Sequence, residues 1–421
     1  MTPDPEAQPV TDVIAITRPS RRTVLRGLGA GVGLGAVAAV PAPSLLGVGT
    51  RAASAATPTG RLAVVFLRGG MDGLSACVPY TDDAYRAARP SIAVPPDAVI
   101  DLDGRFGLHP ALAPIAPFVD EGRLSFVHAA GNPAKDRSHF TAQTAVEQGL
   151  AGPGPDGLGW LGRHLSSSDG TSGAAFRAVG LGANTSRSLA GYAEAVMVPS
   201  LATFGLGGVS GLTAELDRTL RQLYFGRDPS EQMGQAALAA VSEISAITGG
   251  APEGTPEDDA RFIDARALLG ADLGIEVVTL DLGGWDTHEG MGDHTGGVMA
   301  TLLDGLATRL ADFQAGLDED GHDDVTTIVM SEFGRRVDQN GSGGTDHGYG
   351  GVMLAMGAGL GATPVIADWP GLEPDARDDG DLAVTTDYRD VLGELVRDRL
   401  GADDLGVVFP DHTPSPVGLT A

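Results

Sequence analysis

The sequence predicts an α/β protein built on a largely parallel sheet that is covered on both faces. Three observations carry this reading. Short apolar runs at 62–67, 124–129, 275–282 and 325–330 are too short for helices and have the length and composition of buried strands. Each run is followed by glycine and polar residues, as a strand entering a tight turn requires. Between them lie segments of helical periodicity, above all 298–317, where Leu302, Leu303, Leu306, Leu310, Phe313 and Leu317 recur at helical spacing. Strands alternating with helices build a sheet between helical layers.

Taken in order, the first 55 residues read as an address rather than as part of the fold. Arg21 and Arg22 precede a stretch from Gly27 to Thr50 without a single charge, and Ala53, Ser54 and Ala55 follow as a small-residue cleavage pattern. A paired arginine, a weakly apolar segment and such a site resemble a twin-arginine export signal. The rival reading is a membrane anchor, but five glycines between Gly27 and Gly35, with Pro41 and Pro43 beyond them, interrupt the segment. The expectation is a protein exported to the cell envelope or beyond, with the twin-arginine translocase as its partner in export. No stable membrane span is expected after cleavage.

The mature chain, 56–421, is expected to form one domain, with 166–264 as a cap or insertion because that region is rich in Gly, Ser and Ala and poorly periodic. Composition narrows the functions. With 28 basic and 55 acidic residues the chain carries a formal charge of −27, which repels phosphate backbones and argues against a nucleic-acid partner. Cys77 is the one cysteine, so neither an internal disulfide nor a thiolate zinc site is available.

Parallel sheets place ligands beyond the carboxyl ends of their strands, and here those positions are dense with chemistry. Asp72 follows the first run; Asp286 and His288 follow the run at 275–282; Glu332 and Arg335 follow that at 325–330; His347 precedes another apolar run at 352–356. Carboxylates and imidazoles are the donors that divalent cations take, so these four strand-end clusters point to a metal site. The run at 124–129 leads instead to Arg137, Ser138, His139 and a helical stretch at 141–148. A serine at a helix start sits where the first amides favour an anion. Ser138 is therefore either a helix cap or, beside a metal, a nucleophile. No Gly-x-Ser-x-Gly elbow surrounds it.

The segments RGGMDG, NPAKDRSHF, GGWDTHEG, SEFGRR, GTDHGYGG and TTDYR, in this order, resemble the DUF1501 family of exported bacterial proteins within the alkaline phosphatase-like and sulfatase-like superfamily. The resemblance runs from about Leu62 to Phe409 and implies an α/β/α sandwich. It also implies a site of one or two divalent ions (zinc, calcium or magnesium), with Asp72 in the place of the first-strand ligand and Ser138 in that of the nucleophile. By the same resemblance Glu332 stands after a late strand, and Asp286, His288 and His347 hold a second metal. Arg137 and Arg335 are expected to clamp a substrate anion, since a guanidinium fork matches phosphate or sulfate oxygens. His139 is expected as a catalytic proton donor or phosphate contact. Two departures stand out: Phe333 follows Glu332 where two-metal members carry a histidine, and one residue rather than three separates Asp286 from His288. A formylglycine sulfatase is not indicated, because no Cys/Ser-x-Pro-x-Arg motif surrounds Ser138, and Cys77 is followed four residues later by Thr81 rather than arginine.

The expected function is an exported, metal-dependent hydrolase of phosphate-type esters acting on a small-molecule or envelope substrate. The alternative is a noncatalytic envelope protein that binds a metal or another ligand on the same scaffold.

Overall fold

The computed structural model describes residues 60–168, 177–182, 186–205, 213–271 and 273–421, so the export address expected at 1–55 lies outside the described residues. Residues 213–238 group as a unit of their own, and the other described residues form a second unit. The smaller unit holds the helix Thr213–Leu223 and the start of Pro229–Ile244. A reciprocal cap opens the latter: Glu231 N donates to Asp228 Oδ1 at 2.9 Å while Asp228 N donates to a Glu231 carboxylate oxygen at 3.3 Å.

The larger unit is built on a nine-stranded sheet. In chain order, β1 is Arg61–Leu67, and three short strands, β2 (Cys77–Val78), β3 (Ile100–Asp101) and β4 (Gly107–Leu108), form a separate antiparallel sheet. The main sheet continues with β5 (Leu124–Gly131), β6 (Ala178–Leu181), β7 (Val196–Val198), β8 (Val277–Leu282), β9 (Val325–Ser331), β10 (Gly351–Gly357), β11 (Val365–Ile366) and β12 (Thr386–Asp387). Its order is β11-β5-β10-β9-β1-β8-β6-β7, with β12 beside β5. Only β10 runs against its neighbours; the other pairings are parallel.

The four apolar runs read as strands are β1, β5, β8 and β9. They sit in the interior because both faces of each are covered, which is why they lack the alternation of a half-exposed strand. In β1, Ala63, Val65 and Leu67 pack with Leu268 and Leu306 from the helices Glu257–Gly270 and Val298–Glu319. Leu62, Val64 and Phe66 pack on the opposite face with Trp160, Leu392 and Leu395 from Trp160–Ser167 and Tyr388–Asp398. The architecture is thus an α/β/α sandwich, and each large aliphatic side chain so buried contributes about 1.5–3 kcal/mol.

Within 166–264, Ala178–Leu181 and Val196–Val198 supply β6 and β7 to one edge of the main sheet, because the backbone of β8 leaves an edge that must be paired or covered. Among the described residues no helix is long and apolar enough to cross a membrane.

The topology decides where the chemistry lies. With β1, β5, β8 and β9 all pointing the same way, their following loops share one rim. β10, running oppositely, begins at that rim beside Ala130, so the residues before it join the same cluster.

Candidate metal centre at the strand ends

Glycines let the loops come together. Gly69 adopts φ +127°, and a Cβ there would stand 2.4 Å from the backbone nitrogen of Asp286. At Gly334 a Cβ would lie 1.9 Å from the carbonyl oxygen of Gly350. Larger residues at either position would push apart the loops that follow β1, β8 and β9.

Three side chains converge at this rim: His139, Asp286 and His347 each offer a donor atom, all within 4.8 Å of one another. His139 is the first residue of the helix His139–Gln148, which begins two residues before the stretch read from sequence. Asp286 follows β8 and His347 precedes β10. His288 adjoins them, with Nε2 at 2.9 Å from His347 Nε2 and 3.1 Å from Asp286 Oδ1.

The outer nitrogen of each imidazole is tied. His139 Nδ1 lies 2.7 Å from Glu332 Oε1, His288 Nδ1 lies 3.0 Å from Asp346 Oδ1, and His347 Nδ1 lies 2.8 Å from the carbonyl oxygen of Arg137. Burial works to raise the pKa of Glu332, but hydrogen bonds from Gln143 and His139 outweigh it and hold the carboxyl below its usual range. Hydrogen bonds from Asn340 and His288 lower that of Asp346. Both acids are therefore ionised acceptors, and a carbonyl is an acceptor always, so a neutral imidazole at each position carries its proton on Nδ1 and leaves the Nε2 lone pair free. The lone pairs of His288 and His347 then face one another at 2.9 Å, which is repulsive without a cation between them. His139 Nε2 is buried with no hydrogen-bond partner. Desolvation lowers the pKa of His347, which disfavours a proton as that cation. This donor set fits a divalent metal ion of the zinc type, with outer acceptors fixing the tautomers.

Asp286 supplies the anionic member. Burial works to raise its pKa, but the Arg335 guanidinium at 2.6 Å leads the groups that prevail and hold it at about 2. Phe333, the apolar residue in place of a ligand, packs its ring 4.9 Å from that of His139 and 4.7 Å from that of His347. It forms an apolar wall to the cluster.

Several expected roles change. Asp72, expected as a ligand, is fully buried with both oxygens engaged: Oδ1 accepts from Arg89 at 2.8 Å and from the Ser75 amide at 2.9 Å, and Oδ2 accepts from Thr345 at 2.9 Å. Its charge is paired with the buried Arg89 guanidinium, and three hydrogen bonds fix its orientation. Glu332, also expected as a ligand, is buried and receives His139, Gln143 at 2.8 Å and the Gly69 amide at 3.0 Å, so it stands behind a donor rather than among the donors.

The two arginines expected to clamp a substrate anion are also committed. Arg335 is buried, and donates to the carbonyls of Gly69, Gly70, Trp285 and Thr345 as well as to Asp286. It staples three strand-end loops together. Arg137 donates to Asp381 and Asp379 and stacks 4.1 Å over the Tyr349 ring.

Ser138 occupies the N-cap position, yet its side chain caps no amide of the helix. The exposed hydroxyl receives only a 3.4 Å contact from Thr141. Sequence reasoning missed Asp346 and Gln143, which fix His288 and Glu332, and Arg89, which takes Asp72. Asp346 alone had a local signal, its place beside His347.

Fold and site together define an α/β/α sandwich protein with a His/Asp metal-type centre beyond the carboxyl ends of its strands. The chain belongs to the family described as "Protein of unknown function (DUF1501)", whose model matches residues 127–391. No curated protein matches the sequence. Among solved structures it is similar to Ps i-CgsB in complex with k-i-k-neocarrahexaose, at 8% identity and TM-score 0.40, over 85% of this chain and 75% of that one. It is also similar to alkaline phosphatase from the Antarctic bacterium TAB5, at 9% identity and TM-score 0.35, over 83% and 100% of the two chains. A third is the lipoteichoic acid synthase LtaP from Listeria monocytogenes, at 10% identity and TM-score 0.34, over 74% and 68%.

Proposed function

We propose that this chain is an exported, metal-dependent hydrolase of phosphate-type esters. The observation that carries the reading is the convergence of His139 Nε2, Asp286 and His347 Nε2, each imidazole having its other nitrogen bound to an acceptor. His139, Asp286 and His347 would hold the ion, with His288 beside them. A divalent cation bound there would supply positive charge against the oxygens of the ester in its transition state.

The remaining work falls to the chain. Glu332 and the Arg137 carbonyl hold His139 and His347 in the tautomer that offers Nε2. His139 acts here as a ligand in place of the proton donor expected from its neighbourhood. Ser138, uncapped and exposed at the start of the same helix, is the nucleophile: its Oγ bonds to phosphorus as the ester alcohol departs, its proton passing through solvent to the alkoxide. Water then cleaves the phosphoserine.

A second reading, a noncatalytic metal-binding envelope protein, is favoured by one observation: Arg137 and Arg335 both spend their guanidinium donors on the chain itself. Metal analysis of the folded protein, with a chromogenic phosphate and sulfate ester panel, separates the two. Metal with turnover supports the hydrolase, and metal without turnover supports the binder. Protein that takes up no divalent ion refutes both. Export is tested separately: Arg21→Lys with Arg22→Lys should retain the protein in the cytoplasm, and continued export overturns that part.

A further inference from the structure

The segment that carries His288 is zipped to a tight turn at 340–344. Asn340 N donates to the carbonyl oxygen of Gly344 at 2.8 Å and Gly343 N to that of Asn340 at 3.3 Å, which closes the turn. Three backbone bonds join it to the loop after β8: Gly290 N to Ser342 O at 3.1 Å, Met291 N to Gly343 O at 2.9 Å and Thr345 N to Thr287 O at 3.2 Å. The approach requires glycine at 344, where a Cβ would stand 2.3 Å from the carbonyl carbon of His288.

The Asn340 side chain uses all four of its hydrogen-bonding positions here. Its Oδ1 accepts from Ser342 N at 2.9 Å and from Gly344 N at 3.1 Å, and its Nδ2 donates to the carbonyl oxygen of His288 at 2.7 Å and to Asp346 Oδ1 at 3.0 Å. Two N–H groups on one side and two acceptors on the other leave a single orientation for the amide. The oxygen therefore builds the turn, and the nitrogen reaches out to His288. It holds that residue at both ends: at its main-chain carbonyl, and at its ring through Asp346, whose Oδ1 lies 3.0 Å from His288 Nδ1. The ring needs such a hold, because it is 40% exposed and an exposed side chain otherwise keeps its rotamer freedom. So held, its Nε2 stands 2.9 Å from His347 Nε2 and 3.1 Å from Asp286 Oδ1.

Resting on the reading of this cluster as a metal centre, we propose that Asn340 is a positioning residue of that centre: it holds His288 so that Nε2 stands ready as a further donor beside His139, Asp286 and His347. Its action passes through His288.

Asn340→Asp separates the two halves of the side chain's work. One aspartate oxygen keeps the bonds from Ser342 N and Gly344 N, so the turn survives. The other meets the His288 carbonyl and the Asp346 carboxylate, both acceptors, and the hold is lost. In the full chain, zinc affinity measured against a chelator of known affinity should fall about tenfold, although the added negative charge by itself favours a cation. Asn340→Ala, which adds no charge, should lose affinity as well. His288→Ala should lose it too, and adding Asn340→Asp to that variant should cause no further loss, because the ring through which it acts is gone. The visible spectrum of the cobalt(II)-loaded chain gives a second readout, in which Asn340→Asp should reproduce the change that His288→Ala makes. Unchanged zinc affinity in Asn340→Asp, whatever its urea midpoint, overturns the proposal, since a residue that only shapes a turn would behave so. Zinc affinity indifferent to His288→Ala, a loss that persists undiminished in that background, or cobalt spectra that the two variants alter differently overturns it as well. Wild-type chain that takes up neither ion overturns the metal reading itself, and the proposal falls with it.

Discussion

Glu332 Oε1 and His139 Nδ1 meet at 2.7 Å across 193 residues of sequence. The acid follows β9 and the imidazole follows β5, two strands that β10 separates in the sheet. This bond makes the glutamate the residue that aims the histidine: an ionised acceptor on Nδ1 turns Nε2 toward Asp286, 3.5 Å away.

Glu332→Gln should therefore lower metal affinity by about 10–100-fold while retaining the fold, because the amide keeps a hydrogen bond but removes the charge that raises imidazole basicity. Competition with a chelator of known affinity measures it. Unchanged affinity would show that this bond does not orient a ligand.

Ser138→Ala should abolish ester turnover at little structural cost. A helix cap ordinarily contributes about 1 kcal/mol, but the Ser138 side chain makes no cap bond, so denaturant midpoints of variant and wild type should nearly coincide. Full activity in the variant would reject the covalent route.

Arg89 and Asp72 form a fully buried pair at 2.8 Å. Burial alone would raise the Asp72 pKa, and Arg89 with Thr345 drives it below the usual range instead. Arg89→Met strands that carboxylate and should cost about 3–5 kcal/mol in urea unfolding. Metal content per folded molecule should stay at the wild-type level if Asp72 serves this buried pair alone; a selective loss of metal would give it the ligand's role.

The metal-free protein should show an acid limb owed to Asp286. Its folded pKa of about 2 lies below the ordinary 3.8, so the stability it adds is complete above the ordinary value and declines as pH falls toward the folded one. Asp286→Asn should remove that part of the limb between about pH 4 and pH 2. Exposure of this side chain, at 48%, makes the effect modest. An unaltered acid profile would show that the Arg335 link carries no stability.

Much of this was legible in the chain. β1, β5, β8 and β9 announce themselves as uninterrupted apolar runs, because a strand buried on both faces has no polar side to show. The parallel direction of those strands puts Asp286, His288, Glu332 and the Ser138–His139 pair on one rim, and the sequence supplied that list. The short strands β6 and β7 were not legible: three or four residues carry no period, and they are strands only because β8 leaves an edge to pair.

What the sequence by itself determined is the α/β layering, the rim at the strand ends and the residue types gathered there, since hydrophobic runs and turn glycines act through near neighbours in the chain. Tertiary structure alone decided which of those residues are free to bind. Arg89 and Thr345 engage the oxygens of Asp72, backbone carbonyls take donors of Arg335, and Glu332 engages Nδ1 of His139. The partner that satisfies a lone pair or an N–H can come from hundreds of residues away.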